Sequence, residues 1–271
     1  MEDMQPTKDL RFAIVGAPNC GKTALFNALT GSRQKVGNYS GVTVERKSGV
    51  ARTPAGTLLD IVDLPGTYSL RARSPDEEVT RDLVLGKRAG EPAPDLLIVV
   101  VDATSVRSGL RLVMELRKVG RPLLLVLNMI DIARHRGIDI DVAALSSMLQ
   151  IPVVTATAVR RGGLDELWKT LDDIIAAGIA PAQENRWAPP SAADLRQGHR
   201  EADVLIAAAV REPTKPDTLT NRIDAVLLHP VAGLLILLTL LFVMFQAVFS
   251  WAQPAMSLLS AGFAWLGALS H

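Results

Sequence analysis

The stretch Gly16-Ala17-Pro18-Asn19-Cys20-Gly21-Lys22-Thr23 constrains this chain more than any other. It follows the apolar run Phe12-Ala13-Ile14-Val15 and leads into Ala24-Leu25-Phe26-Asn27-Ala28-Leu29, whose spacing is helical. Strand, then G-x-x-x-x-G-K-[ST], then helix is the context of a phosphate-binding loop. The glycines let main-chain N–H groups face an anion with no Cβ in the way, and the helix N-terminus adds partial positive charge. Lys22 is placed to reach β- and γ-phosphates, and Thr23 to ligate Mg²⁺. Ala24 lies next in the cradle. Cys20 reads as a small side chain tolerated in the loop; as the single cysteine it excludes an internal disulfide and suits a reducing compartment.

The rest of the first 180 residues repeats the alternation. Thr57–Val62 and Val50–Arg52 read as a strand pair around Pro54-Ala55-Gly56. Leu96–Val101 and Pro122–Leu127 are continuous apolar runs, the mark of strands covered on both faces. Helical patterns follow at 75–86, 110–119, 140–149 and 164–177, with a short last strand at Val153-Val154. Gly31 to Arg46 reads as a polar loop. The expectation is an α/β fold with a mostly parallel sheet, whose ligands sit at the carboxyl ends of the strands.

Motifs fall at those ends. Asp63-Leu64-Pro65-Gly66 closes a strand: Asp63 is placed to hold Mg²⁺ through water, and the Gly66 N–H to sense a γ-phosphate. Thr43, in Gly41-Val42-Thr43-Val44-Glu45, is the candidate second Mg²⁺ hydroxyl, which makes 33–45 a switch. Asn128-Met129-Ile130-Asp131 suits guanine, because the Asp131 carboxylate can accept from N1–H and N2–H₂ together while adenine offers neither donor. Asn128 braces base edge and phosphate loop. Thr155-Ala156-Thr157 is placed to offer backbone N–H groups to guanine O6.

The C-terminal part differs in kind. Three prolines between Ala180 and Pro190 mark a linker, and Ala192–Arg211 and Thr218–Leu228 read as helices separated by Pro213 and Pro216. Leu195, Ala202, Leu205, Ile206 and Ala209 are the expected inward positions. From Pro230 onward no Asp, Glu, Lys or Arg occurs. Val231–Phe249, about 19 residues, nearly suffices to cross a hydrocarbon core of about 30 Å; Trp251 suits an interface, Pro254 breaks the run, and 256–269 is apolar again. The first ten residues carry no apolar core for a secretory signal. A net charge of +1 gives no global pull toward nucleic acid.

The set Gly16–Thr23, Gly37-Asn38-Tyr39-Ser40-Gly41-Val42-Thr43-Val44-Glu45, Asp63–Gly66 and Asn128–Asp131, in that order, resembles the N-terminal part of FeoB-type bacterial ferrous-iron transporters. So does Leu227-Leu228-His229-Pro230, which opens a membrane helix. The resemblance implies a Ras-like P-loop GTPase domain at 1–180, a small all-α, GDP-dissociation-inhibitor-like domain at 181–229 and the start of a multi-pass transmembrane region at 230–271. It implies GTP/GDP, Mg²⁺ and K⁺ as cofactors, with Asn19, Lys22, Thr43 and Gly66 catalytic. Thr67 stands where Ras-like enzymes carry a water-orienting glutamine; Asn19 matches the phosphate-loop Asn that holds K⁺ in potassium-stimulated GTPases. It further implies Fe²⁺ as the transported ion, a cytoplasmic GTPase face on a bacterial inner membrane, a small cytoplasmic partner protein, and self-association. No His, Cys, Asp and Glu cluster with metal-ligand spacing is readable, and a lone His229 at the membrane edge reads as a boundary residue. The competing reading is a soluble potassium-dependent GTPase of ribosome or tRNA maturation, which calls for a basic RNA-binding module.

Overall fold

The computed structural model describes residues 10–31, 34–39, 41–160, 162–211, 218–251, 258 and 260–262. The breaks assigned to Pro213, Pro216 and Pro254, residue Ser40, and nearly all of the second apolar stretch lie outside them, as does the Leu195 side chain. By compactness the chain forms two units, 1–213 and 214–271.

The first unit is built on a seven-stranded sheet. Its strands are β1 (Leu10–Gly16), β2 (Gln34–Asn38), β3 (Glu45–Arg52), β4 (Leu58–Asp63), β5 (Leu96–Asp102), β6 (Leu123–Asn128) and, after a two-residue β7 (Asp139–Ile140), β8 (Val153–Thr155). The order is β2-β3-β4-β1-β5-β6-β8, antiparallel at β2/β3 and β3/β4 and parallel elsewhere. The apolar runs work as two-faced strands. Phe12, Ile14, Leu96, Ile98, Val100, Leu124 and Val126 enter one core; Ala13, Val15, Leu97, Val99, Val101, Leu125 and Leu127 enter the other. Helices α1 (Lys22–Thr30) and α6 (Asp165–Ala177) cover the first face; α2 (Pro75–Val84), α3 (Val106–Val119), α5 (Val142–Leu149) and α7 (Ala192–Ala209) cover the second. Each such Leu, Ile or Phe contributes about 1.5–3 kcal/mol by leaving water.

The structure departs from the sequence reading in several places. The expected loop 31–46 contains β2 and the start of β3: β2 is exposed along its length, so no alternation marks it, and its existence rests on pairing with β3. Helix α3 starts at Val106, four residues early. Gly109 reads as a weak helix position, but a Cβ there would come within 2.4 Å of the Val101 side chain, so the glycine lets α3 lie on β5. A short helix α4 (Ile130–His135) follows β6 directly. Helix α5 starts at Val142, with the Asp141 carboxylate accepting from Ala144 N–H, because 139–140 pair as β7 with β9 (Val210–Arg211), which also ends α7.

Helix α7 carries a capping box: Ser191 Oγ accepts from Asp194 N–H and the Asp194 carboxylate accepts from Ser191 N–H. Ala202, Leu205, Ile206 and Ala209 are buried in the core shared with α3 and α5. Thus α7 belongs to the first compact unit, whereas α8 (Thr218–Leu227) belongs to the second.

In the second unit, α9 (Ala232–Gln246) runs into a π-helical turn, 247–251. Ala232–Phe249 is long and apolar enough to cross a membrane: its mean hydropathy is 2.5 and none of it is buried. Its one hydroxyl, on Thr239, donates to the Leu235 carbonyl, which removes the need for water. His229 has a local task, since its Nδ1 accepts from the Val231 and Ala232 N–H groups at the helix start.

Candidate nucleotide site

The site is assembled where β1, β4, β6 and β8 end. The loop after β1 turns through Asn19, a non-glycine residue at φ 63°, and Gly21 at φ 90°, which precedes the first helical residue of α1. A side chain at Gly21 would meet Asn128 Nδ2 at 2.2 Å, so this glycine serves both the turn and the contact with β6. Lys22 is buried, and its Nζ donates to the Ala17 carbonyl at 2.9 Å. Pro18 and Asn19 are exposed. Cys20 is buried in the α1-side core, and burial pushes its thiol pKa up, against the opposing charge of Lys22; the thiol is held neutral and inert.

The β4 end closes on this loop. Leu64 N–H donates to the Ile14 carbonyl and Thr67 N–H to the Gly16 carbonyl. Gly66 consequently lies against the loop: a Cβ on it would sit 3.0 Å from Pro18 N and 3.1 Å from Lys22 Nζ. Pro65 is held from behind, its carbonyl accepting from Thr80 on α2 at 2.9 Å. Thr23 Oγ1 donates to Asp63 Oδ2 at 3.0 Å. Asp63 is only 7% exposed, and its Oδ1 has no hydrogen-bond partner. Burial raises its pKa; the Thr23 hydrogen bond and Lys22 oppose the rise. A buried carboxylate oxygen left unpaired beside a hydroxyl is a hard oxygen pair, and it fits Mg²⁺.

Thr67 is 1% exposed; its hydroxyl donates to Ser69 O at 2.5 Å, accepts from Ser69 N–H and lies 3.4 Å from Glu77 Oε1 on α2. Gly41 and Thr43 are exposed and Val42 half-buried in the turn between β2 and β3, which is closed by Tyr39 N–H to Val44 O and Val42 N–H to Tyr39 O. No hydrogen bond joins Thr43 to Thr23 or Asp63 among the described residues.

At the other end Asn128, 2% exposed, spans the gap between two loops. Its Nδ2 donates to the Cys20 carbonyl at 3.1 Å and its Oδ1 accepts from Ala158 N–H at 3.2 Å. Met129 takes φ 60°, which swings the chain into α4 and puts Asp131 in its first turn. The Asp131 carboxylate is paired with Arg160 at 3.1 Å. The N–H groups of Thr155, Ala156 and Thr157 are all engaged, donating to Glu166, the Leu127 carbonyl and the Gly163 carbonyl respectively. The expectation that these three face a base is therefore not met in this arrangement. Sequence reading passed over Arg160, Glu166 and Ala158, and no local pattern marks them.

A mostly parallel sheet carrying a phosphate loop after its first strand, D-x-x-G after β4 and N-x-x-D after β6 is the fold of a P-loop GTPase. The family described as "Ferrous iron transport protein B" matches residues 10–171. The Fe(2+) transporter FeoB of Campylobacter jejuni is 35% identical over 266 residues, 96% of this chain and 42% of its own length. That of Escherichia coli is 44% identical over 169 residues, 61% of this chain and 21% of its own. A fusion of Fe(2+) transport protein A with FeoB in Porphyromonas gingivalis is 31% identical, over 96% of this chain and 39% of its own. Among solved structures, the cytosolic domain of the T. maritima FeoB iron transporter in a GDP form aligns with a TM-score of 0.65 at 27% identity, covering 76% of this chain and all of that one. The cytosolic domain of L. pneumophila FeoB gives 0.62 at 30%, over 74% of this chain and all of its own. The chain belongs to the FeoB family. It spans about two fifths, or less, of the length of these curated relatives.

Proposed function

We propose that this chain binds and hydrolyses GTP as the cytoplasmic module of a membrane transporter for ferrous iron. The observation that carries the nucleotide reading is the Thr23–Asp63 pair with its free, buried Oδ1, set beside Lys22 and Gly66 in one loop cluster. Guanine nucleotide bound to the related cytosolic domains supports the same reading.

The proposed roles follow from the geometry. Residues 16–24 wrap the phosphates; Lys22 exchanges its bond to the Ala17 carbonyl for the β- and γ-oxygens. Thr23, Asp63 and Thr43 would hold Mg²⁺, which would supply charge neutralisation at the phosphates. Gly66 N–H meets the γ-phosphate. Asp131 reads guanine after releasing Arg160, with Asn128 and Met129 framing the base. Since the Thr67 hydroxyl is committed elsewhere, main-chain groups of 41–43 and 64–67 must place the attacking water, so turnover is slow. Asn19, exposed at the loop's outer corner, is the residue suited to hold K⁺, whose charge beside the phosphates would replace an arginine finger.

Residues 181–229 are proposed as the regulatory helical segment and 230–271 as the entry into a multi-pass region of the bacterial cell membrane. The P. gingivalis fusion supports a small partner protein akin to transport protein A; self-association remains part of the proposal.

The test is equilibrium binding and phosphate release by the whole chain in detergent. GTP and GDP should bind in Mg²⁺ at least 100-fold tighter than ATP; Lys22→Ala should abolish turnover; Asp131→Asn should shift preference to xanthosine nucleotides. Turnover should rise in K⁺ over Na⁺, and equal rates remove Asn19's role. Equal affinity for adenine and guanine nucleotides would refute the assignment.

A further inference from the structure

We infer that Glu115 on α3 is a positioning residue: through Ser69 and Leu70 it holds the segment after Gly66 in the arrangement seen here, with Gly66 packed against Pro18 and Lys22, and so sets the balance between GTP- and GDP-bound forms. The inference rests on the GTPase reading above.

Glu115 lies in the third turn of α3, between the Asp63–Gly66 and Asn128–Asp131 motifs and part of neither. Its two oxygens take Ser69 Oγ at 2.9 and 3.1 Å, and Oε2 also accepts from Leu70 N–H at 2.7 Å. Charge-assisted bonds of this length are the strong kind. Leu70 itself is fully buried, which fixes the geometry. From Ser69 the bonds run back toward the phosphates. Ser69 is joined twice to Thr67, and Thr67 N–H donates to Gly16 O beside Gly66. They also run forward, since Ser69 Oγ accepts from Arg71 N–H and Glu77 accepts from Arg73 N–H. Gly66 N–H therefore cannot move toward a γ-phosphate without drawing on a chain whose far end is Glu115.

There is room for such a movement. A cavity of about 590 Å³ opens beside Tyr68, Ser69 and Glu115, bounded across from them by Gln183, Asp194 and Gly198. The helix that carries Glu115 also carries Arg107, which is paired with Asp203 of α7. The helix that carries the latch thus meets the segment after Gly66 through Glu115 and α7 through Arg107. A contact that favours one of two arrangements changes the affinity only of ligands that discriminate between them. GDP, lacking the γ-phosphate, does not discriminate; GTP does.

The experiment measures dissociation constants for fluorescent GDP and a non-hydrolysable GTP analogue in Mg²⁺, using the 271-residue chain in detergent micelles. Glu115→Ala should leave GDP affinity within twofold and tighten the analogue about tenfold. Glu115→Gln, which keeps one acceptor, should restore an intermediate ratio. Ser69→Ala should shift the ratio two- to threefold and add little on top of Glu115→Ala, as partners in one bond do. A purely structural role would lower both affinities together and leave the ratio fixed; that result, or a ratio within twofold of the unchanged chain in both Glu115→Gln and Ser69→Ala, overturns the latch. The last two variants decide if Glu115→Ala does not fold. Failure of the unchanged chain to bind guanine nucleotides overturns the GTPase reading and the latch with it; binding with an unmoved ratio overturns the latch alone.

Discussion

Replacing Asp63 by Asn should make the ligand-free protein more stable and the nucleotide site worse. The carboxylate is buried, one oxygen bonded to Thr23 and the other to nothing. An amide of the same shape keeps an acceptor for Thr23 and removes the charge. An unpartnered buried polar atom costs about 1–3 kcal/mol, and a charged one more. Exchanging a charged orphan for a neutral one should return about 1 kcal/mol, or roughly 2–4 °C in Tm for a domain of this size. The pH dependence has a definite sign. Burial raises the Asp63 pKa, so between its unfolded and folded values the native state holds more protons than the unfolded chain. Wild-type stability from this group therefore falls as pH rises through that window and stays depressed above it. The gain of Asp63→Asn should be full at neutral pH and shrink toward acid. Saturating GDP and Mg²⁺ should reverse the ranking: a ligand at 100 times its Kd adds about 2.7 kcal/mol to the wild type, and the variant should lose most of that with its Mg²⁺-dependent affinity. Thermal unfolding at several pH values, with and without Mg²⁺–GDP, reads both effects. A variant less stable than wild type without ligand, or one whose Mg²⁺-dependent affinity stays within twofold, would refute the reasoning.

Arg160→Ala should tighten guanine nucleotides two- to fivefold, because the base then need not displace a guanidinium from Asp131; the Arg160 side chain is 68% exposed, which limits the pair to about 1 kcal/mol. Weaker binding in a fluorescence titration would show instead that Arg160 touches the nucleotide. Asn128→Ala leaves the Cys20 carbonyl and Ala158 N–H unpaired in the interior and should cost about 2–4 kcal/mol, seen as a Tm lower by roughly 5–12 °C. Tyr39 is 1% exposed with an unpartnered hydroxyl, so Tyr39→Phe should leave the Tm unchanged or raise it by about 2 °C; a clear fall in calorimetry would mean the hydroxyl has a partner in solution.

What could be read in advance depended on whether a feature is local. The phosphate loop is contiguous, so its strand, turn glycine and helix start are all visible in one window. Strands β5 and β6 were visible because burial on both faces leaves no polar residue to interrupt them. Strand β2 was invisible for the opposite reason: it buries nothing, and β3 alone makes it a strand. Helix α3 begins four residues before the expected start at 110 and takes in Gly109, a residue of weak helix propensity that the close approach of Val101 requires. The guanine motif was legible as letters, yet its partners were not. Arg160 lies 29 positions from Asp131, and nothing in either stretch announces the pair. The 155–157 segment failed at a finer level, since choosing which N–H groups are free requires knowing that Glu166, Leu127 and Gly163 already hold three of them.

Thr67 shows why a substitution within a motif can redirect a mechanism without weakening the fold. A glutamine at this position could reach outward to a water; a threonine cannot, and in this fold its short side chain turns inward. The two bonds to Ser69 make it a brace for the turn that starts at Gly66. That brace stiffens the main chain at the point where a γ-phosphate would be felt, and it hands the load to Ser69 and hence to Glu115. On the proposed mechanism, Thr67 does not position water and is instead a link in the path of bonds from the phosphate end of the site to α3. The proposed slow hydrolysis and the proposed tie to α3 would then have a common structural origin, because the same hydroxyl cannot serve both.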